Sequence, residues 1–121
     1  MTQNNRPLSP HLQVYRLPLT GIISITHRMT GVILAFGLIF YAVSFFVILQ
    51  GNETFSGIQT LLDNIWVDIA VGLFFYALFF HLCHGIRHLI WDVGSGFDKE
   101  AMDKNAIIEL SLSLLLTLIF Y

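Results

Sequence analysis

Between Met29 and Leu49 the chain carries no charged residue, and between Ile69 and Trp91 it is again almost wholly apolar. Runs of this length constrain the fold more than any other feature. About 20 apolar residues suffice to cross the hydrocarbon core of a bilayer as a helix. Inside that core the backbone has no water to bond, so a segment must satisfy its own N–H and C=O groups. Charged residues make up 12% of the chain, against about 25% in soluble domains. The chain lacks the polar surface of a soluble monomer and reads as an all-α membrane protein. A net charge of −2 without a basic tract gives no footing for nucleic acid. The single cysteine, Cys83, excludes an internal disulfide framework and a metal site built from several cysteines of this chain.

Three transmembrane helices are expected, at about 20–49, 67–90 and 104–121, forming one anchor domain over residues 20–121. Residues 1–19 precede it as a polar arm, punctuated by Pro7, Pro10 and Pro18, which forbid a continuous helix. Leu8, Leu12, Val14, Tyr15 and Leu17 give the arm apolar groups to lay on a membrane interface or a partner. Gln50-Gly51-Asn52-Glu53 is a turn signal, and 54–65 a short amphipathic or interfacial stretch leading to Trp66, an anchor at the start of the second span. Gly94-Ser95-Gly96 ends that span, and a charged loop, Asp98–Lys104, follows. The six basic residues lie on the arm, at the start of the first helix, at the end of the second or in the loop after it. The first loop has none. The positive-inside rule then puts the N-terminus in the cytoplasm. With no signal peptide in view, the first apolar helix is expected to act as its own insertion signal.

The apolar background makes two polar clusters conspicuous. His81, His84, Arg87 and His88 interrupt the second span, where an arginine at the bilayer centre costs roughly 2.5–3.5 kcal/mol on insertion scales. His81, His84 or Gly85, and His88 share one helix face. Gly85 leaves a gap through which a flat ligand or another helix can approach the backbone. Histidine is the usual nitrogen ligand of haem iron, and Arg87 and His88 lie nearer the headgroups, where haem propionates would emerge. The alternative is that these histidines are polar glue between helices. The other cluster is Ser24, His27, Arg28 and Gly31, again on one face. Hydroxyl, imidazole and guanidinium together can bond a quinone carbonyl and supply protons. Against that stands an arginine snorkelling to the interface and a serine bonded to its own helix, and the local residues leave the two readings level.

Both clusters fall at similar depth on one side, and Asp92 is expected to pair there with Arg28 or Arg87. Gly31, Ala35 and Gly37 read as a packing stripe. Phe74, Phe75, Tyr76, Phe79 and Phe80 read as lipid-facing or core aromatics, some able to flank a porphyrin. Cys83 reads as a small buried apolar residue, and Glu109 as close enough to the interface to be solvated.

Two motifs carry a resemblance: Arg6-Pro7-Leu8-Ser9-Pro10-His11-Leu12 followed by Ser24-x-x-His27-Arg28-x-Thr30-Gly31, and His81-x-x-x-Gly85-Ile86-Arg87-His88-Leu89-x-Trp91-Asp92-x-Gly94. With them, over nearly its whole length, the chain resembles the cytochrome b556 anchor subunits of succinate dehydrogenase. The resemblance implies a three-helix anchor that pairs with a second hydrophobic anchor subunit to form a haem-binding bundle. That pair would hold one haem b and dock an iron–sulfur subunit, which carries the flavoprotein subunit. It implies His81 as an axial haem ligand, with the other axial histidine from the second anchor. Ser24 and Arg28 would stand at the quinone site, with ubiquinone as substrate. His27, Arg28 and His88 would contact the haem propionates or the quinone pocket. His84 is additional to the motif, and spacing alone does not choose between His81 and His84; only the family register favours His81. Such a subunit has no independent active site and serves electron transfer, in a bacterial inner membrane if no transit peptide is present. The same architecture serves a quinol:fumarate reductase, and a haem-free structural anchor is the other reading. A small ion- or proton-conducting transporter fits poorly, since neither an inverted repeat nor a broken midplane helix is evident.

Overall fold

In a computed structural model the chain is described from residue 16 to residue 121, without the side chains of residues 52–54 and 61. The arm's proline motif and its apolar residues up to Tyr15 lie outside the described residues. Four α-helices follow in order: α1 Leu19–Ile48, α2 Asn52–Leu62, α3 Ile65–Asp92 and α4 Lys99–Phe120. No strand occurs among the described residues.

Local chemistry accounts for most of the boundaries. Pro18 opens α1 in an extended conformation, and its carbonyl accepts hydrogen bonds from the N–H groups of Gly21 and Ile22. A proline is tolerated there because its missing N–H would have no intrahelical partner anyway. Gly51, with φ +123°, makes the turn into α2 that a side chain would resist. Asn64 caps α3, its Oδ1 accepting from Trp66 N at 2.9 Å. Gly94 and Gly96, both at positive φ, end the chain's run as α3 and turn it towards α4.

Two findings differ from the sequence expectation. The stretch between the first two long helices is a helix of its own, α2. And α4 starts at Lys99, so most of the charged segment Asp98–Lys104 is helical. Lys, Glu and Arg are good helix formers wherever their charge is in water, and a charge run therefore does not mark a loop.

α3 is the central element. It packs against α1 on one side and α4 on the other, while α1 and α4 touch less. α1 and α3 are each long and apolar enough to cross a membrane. The apolar core is small: Ile23, Phe80 and Ala106, with Tyr76 and Leu110 against it. Apart from Ala77, the other buried side chains among the described residues are polar, namely Thr30, His84, Arg87, Glu109, Ser113 and Thr117, whereas Phe36, Leu38, Phe40, Trp66 and Leu118 are exposed. This is a polar seam inside an apolar surface, the reverse of a soluble bundle. Lipid or a partner helix covers such a surface at no hydrophobic cost. The buried hydroxyls are satisfied within their own helices: Thr30 donates to His27 O, Ser113 to Leu110 O and Thr117 to Ser113 O.

Glycine sets how closely α1 and α3 meet. A Cβ on Gly37 would run into the Phe74 ring, and one on Gly31 would lie 3.1 Å from His81. Ala35, the third small residue of the stripe, is exposed. At the other side of α3, Tyr121 OH donates to the backbone carbonyl and the carboxylate of Asp68, tying the end of α4 to the start of α3.

Candidate functional site

The seam between the first turns of α1 and the last turns of α3 gathers four imidazoles. His27 is the hub. Its ring stacks on His81 at a centroid distance of 4.0 Å and lies 4.5 Å from His84 and 5.5 Å from His88. His88 in turn stands edge-on to His84 at 4.8 Å and to Trp91 at 5.0 Å. The helical period explains the gathering. His81, His84 and His88 lie one turn apart on α3, and Gly31 lets α1 come close enough for His27 to enter between them.

Hydrogen bonds fix the tautomers. His81 Nδ1 lies 3.2 Å from His27 O and 3.2 Å from Thr30 Oγ1. A carbonyl oxygen only accepts, so His81 Nδ1 carries the proton and Nε2 presents a lone pair. Thr30 Oγ1 donates to that same carbonyl at 2.8 Å, which holds the arrangement in place. His84 is held from the other side: its Nδ1 donates to Glu109 Oε1 at 2.7 Å. Histidine ligands to metals are held in the same manner, with the second ring nitrogen donating to a carbonyl or carboxylate.

Glu109 stands at the centre of a second, wholly buried arrangement. Its Oε2 accepts from Arg87 Nη1 at 3.2 Å, and Arg87 Nη2 donates to Met102 O at 2.7 Å. The guanidinium also covers the Trp91 ring at 4.7 Å from its centroid, a favourable cation–π placement. His84 is 1% exposed, and Arg87 and Glu109 are 5% exposed. A buried ion pair of this kind is no great source of net stability, but removing one partner strands the other charge. The sequence expectation of a solvated Glu109 is therefore corrected: it is the inward partner of two side chains of α3. Arg87 is likewise not at the polar margin, and its partner is Glu109, not Asp92. Asp92 and Arg28 are both exposed and neither forms an ion pair among the described residues.

A signal for Glu109 does exist in the sequence. Glu109, Ser113 and Thr117 recur every four residues on an otherwise apolar helix, one stripe facing inward. All three are buried.

The remaining site residues divide by depth. Ser24 is half-buried one turn before His27, Arg28 is exposed beside it, and His88 is exposed at the rim. Ser24 and Arg28 thus flank the His27 ring without entering the cluster. Two buried ring nitrogens, His27 Nε2 and His84 Nε2, have no hydrogen-bond partner. One ligand-type atom from each of His27, His84 and His88 falls within 4.8 Å of the others. Buried polar atoms are rarely left unpaired, so these two nitrogens are open to a polar or metal-bearing group from outside this chain. Gly85, the residue after His84, faces open space: a Cβ there would meet nothing within 4 Å.

Residues 2–120 match the succinate dehydrogenase/fumarate reductase transmembrane subunit family. The chain belongs to that family. It is 38% identical over 118 residues to the succinate dehydrogenase cytochrome b556 subunit of Rickettsia felis, covering 98% of this chain and 92% of that one. It is 37% identical over 124 residues to the succinate dehydrogenase cytochrome b560 subunit of Reclinomonas americana, covering 95% and 83%. Over 120 residues it is 38% identical to the cytochrome b560 subunit of Chondrus crispus, covering 97% and 94%. As a member of this transmembrane family the chain is a membrane anchor, and its two longest apolar helices, α1 and α3, fit that placement.

Proposed function

We propose that this chain is the cytochrome b anchor of a bacterial succinate dehydrogenase, binding haem b jointly with a second anchor subunit and forming part of a ubiquinone site. The observation that carries the reading is the state of His81. Its Nδ1–H is committed to the His27 carbonyl, so Nε2 has a lone pair to give. His81 is only partly buried, which suits a ligand that must reach a group shared with another subunit. His84 differs: its Nε2 is buried inside the chain's own cluster. The chain thus offers a reason, beyond motif register, for His81 over His84 as the axial ligand. His27 and His88 supply polar atoms at the margin of the same space, suited to propionates, with Arg28 outermost.

The haem, when bound, would accept and return single electrons beside the quinone. The protein's own part is positional and electrostatic. Ser24 would donate a hydrogen bond to a quinone carbonyl. Arg28 would stabilise the negative charge that develops on the reduced oxygen. Electrons would arrive from a flavoprotein through an iron–sulfur subunit docked on the same face. α4, although it carries Glu109, would form a third span, because 22 residues at about 1.5 Å each reach roughly 33 Å. The distribution of basic residues favours a cytoplasmic N-terminus and α3–α4 connection, and the complex would sit in the bacterial inner membrane. The family description embraces fumarate reductases, but the relatives named above are succinate dehydrogenase subunits, which favours succinate oxidation as the working direction. A reduced-minus-oxidised visible spectrum of the purified complex tests the reading. A b-type haem at one per complex is expected, and a featureless spectrum would contradict it.

A further inference from the structure

Glu109 is the one buried acidic group among the described residues, and the function proposed above makes no use of it. It lies on α4, yet it is joined to the histidine cluster by a short path. Its Oε1 is 2.7 Å from His84 Nδ1, the His84 ring is 4.5 Å from His27, and His27 stacks on His81 at 4.0 Å. On the far side its Oε2 holds Arg87, whose guanidinium is turned to Met102 O and Trp91. The carboxylate is therefore the member of the ion pair that hydrogen-bonds a histidine, His84. Among the described residues the guanidinium bonds Glu109 and Met102 and no histidine.

We infer that Glu109 is a positioning residue for the haem: it fixes the orientation of His84 in the cluster and supplies the nearby negative charge that holds the haem's reduction potential down. This rests on the reading of His81 as the haem ligand. Ferric haem carries one more positive charge than ferrous haem, so a fixed carboxylate in a water-poor interior favours the oxidised form. At an effective dielectric constant of about 20, a unit charge on the order of 12 Å away changes such an equilibrium roughly tenfold. Arg87, which makes no hydrogen bond to a histidine among the described residues, offsets part of the effect. Burial keeps both charges unscreened by salt.

The test is equilibrium redox titration of the haem in the assembled complex, followed by its visible and electron paramagnetic resonance spectra. Glu109→Gln keeps the side chain's shape, leaves one oxygen to accept from His84 or Arg87, and removes the charge. It should raise the reduction equilibrium constant about tenfold, equivalent to ~59 mV for one electron, with haem content unchanged. Glu109→Asp keeps the charge and should stay within about threefold of wild type. If Glu109→Gln does not assemble because Arg87 is left unpaired, Arg87→Gln/Glu109→Gln removes both charges and decides the matter. Its potential should rise, by less than that of the single variant. A wild-type potential in either charge-removing variant, or an equal shift in Glu109→Asp, overturns the inference. A wild-type complex with no haem band at all would instead overturn the haem reading on which it rests.

Discussion

The two ends of this bundle are held together in different ways. Where the start of α1 meets the end of α3, contact runs through imidazoles with assigned hydrogen bonds and through the buried Glu109–Arg87 pair. Where the end of α1 meets the start of α3, contact runs through aliphatic and aromatic side chains. An apolar cleft of about 650 Å³ remains there, lined by Phe40, Tyr41, Ser44, Ile58, Val67 and Val71 among others. Hydrogen-bonded groups have directions, and they fix the rotation and depth of one helix against another. Apolar contacts fix only proximity. The polar end therefore defines a site and the apolar end a surface, although the sequence of α1 is apolar through most of its length.

This contrast can be broken in graded steps. The largest effect is expected at Arg87. Arg87→Leu leaves Glu109 as an uncompensated buried charge and should destabilise the assembled complex by about 3–5 kcal/mol, read as a large fall in the midpoint of thermal unfolding in detergent. Removing the corresponding positive charge outside the seam should act on catalysis alone. Arg28→Ala should lower quinone reduction by about 10²–10³-fold, with Ser24→Ala smaller, while succinate oxidation by an artificial dye stays intact. Unchanged quinone turnover in both variants would remove Ser24 and Arg28 from the site.

Glycine substitutions compare the two ends directly. Gly37→Leu drives a side chain into Phe74 and should cost about 1–3 kcal/mol of stability by overpacking, with little consequence for haem content. Gly85→Leu starts from a position where an added Cβ meets nothing within 4 Å among the described residues. It should leave the chain's own packing unaltered and lower the haem content of the complex, because it fills the space beside the histidines. Equal haem loss in both variants would argue that the two ends are not separable. The smallest effect is expected at Tyr121→Phe, which removes the hydrogen bonds to Asp68 and should cost about 1 kcal/mol, seen as a modest shift in unfolding midpoint.

Much of this architecture is legible in the residue order. The charge-free run from Met29 to Leu49 and the apolar run into His81 demand helices, and Pro18, Gly51 and Gly94 bound them. The helical period puts His81, His84 and His88 on one face, and the matching depth of His27 brings it to them. What the sequence does not expose is pairing between helices. Asp92 is nearest in sequence to Arg87 and carries the complementary charge, yet it points to the exterior, and a residue on α4 takes the arginine. One-dimensional spacing orders residues around their own helix but carries no information on how a neighbouring helix is rotated. Glu109 illustrates the consequence. A lone carboxylate near a helix start reads as solvated until Ser113 and Thr117 are seen to continue its stripe. The charged start of α4 is a similar case, since Lys99, Glu100, Asp103 and Lys104 favour a helix in water as much as a loop.

The account turns on which histidine gives its lone pair to iron. Reduced-minus-oxidised visible spectra of complexes carrying His81→Ala and His84→Ala test it directly. The account predicts that His81→Ala loses or alters the b-type haem signal and that His84→Ala keeps it at one haem per complex. A normal haem signal in His81→Ala, with the signal lost in His84→Ala, would contradict it.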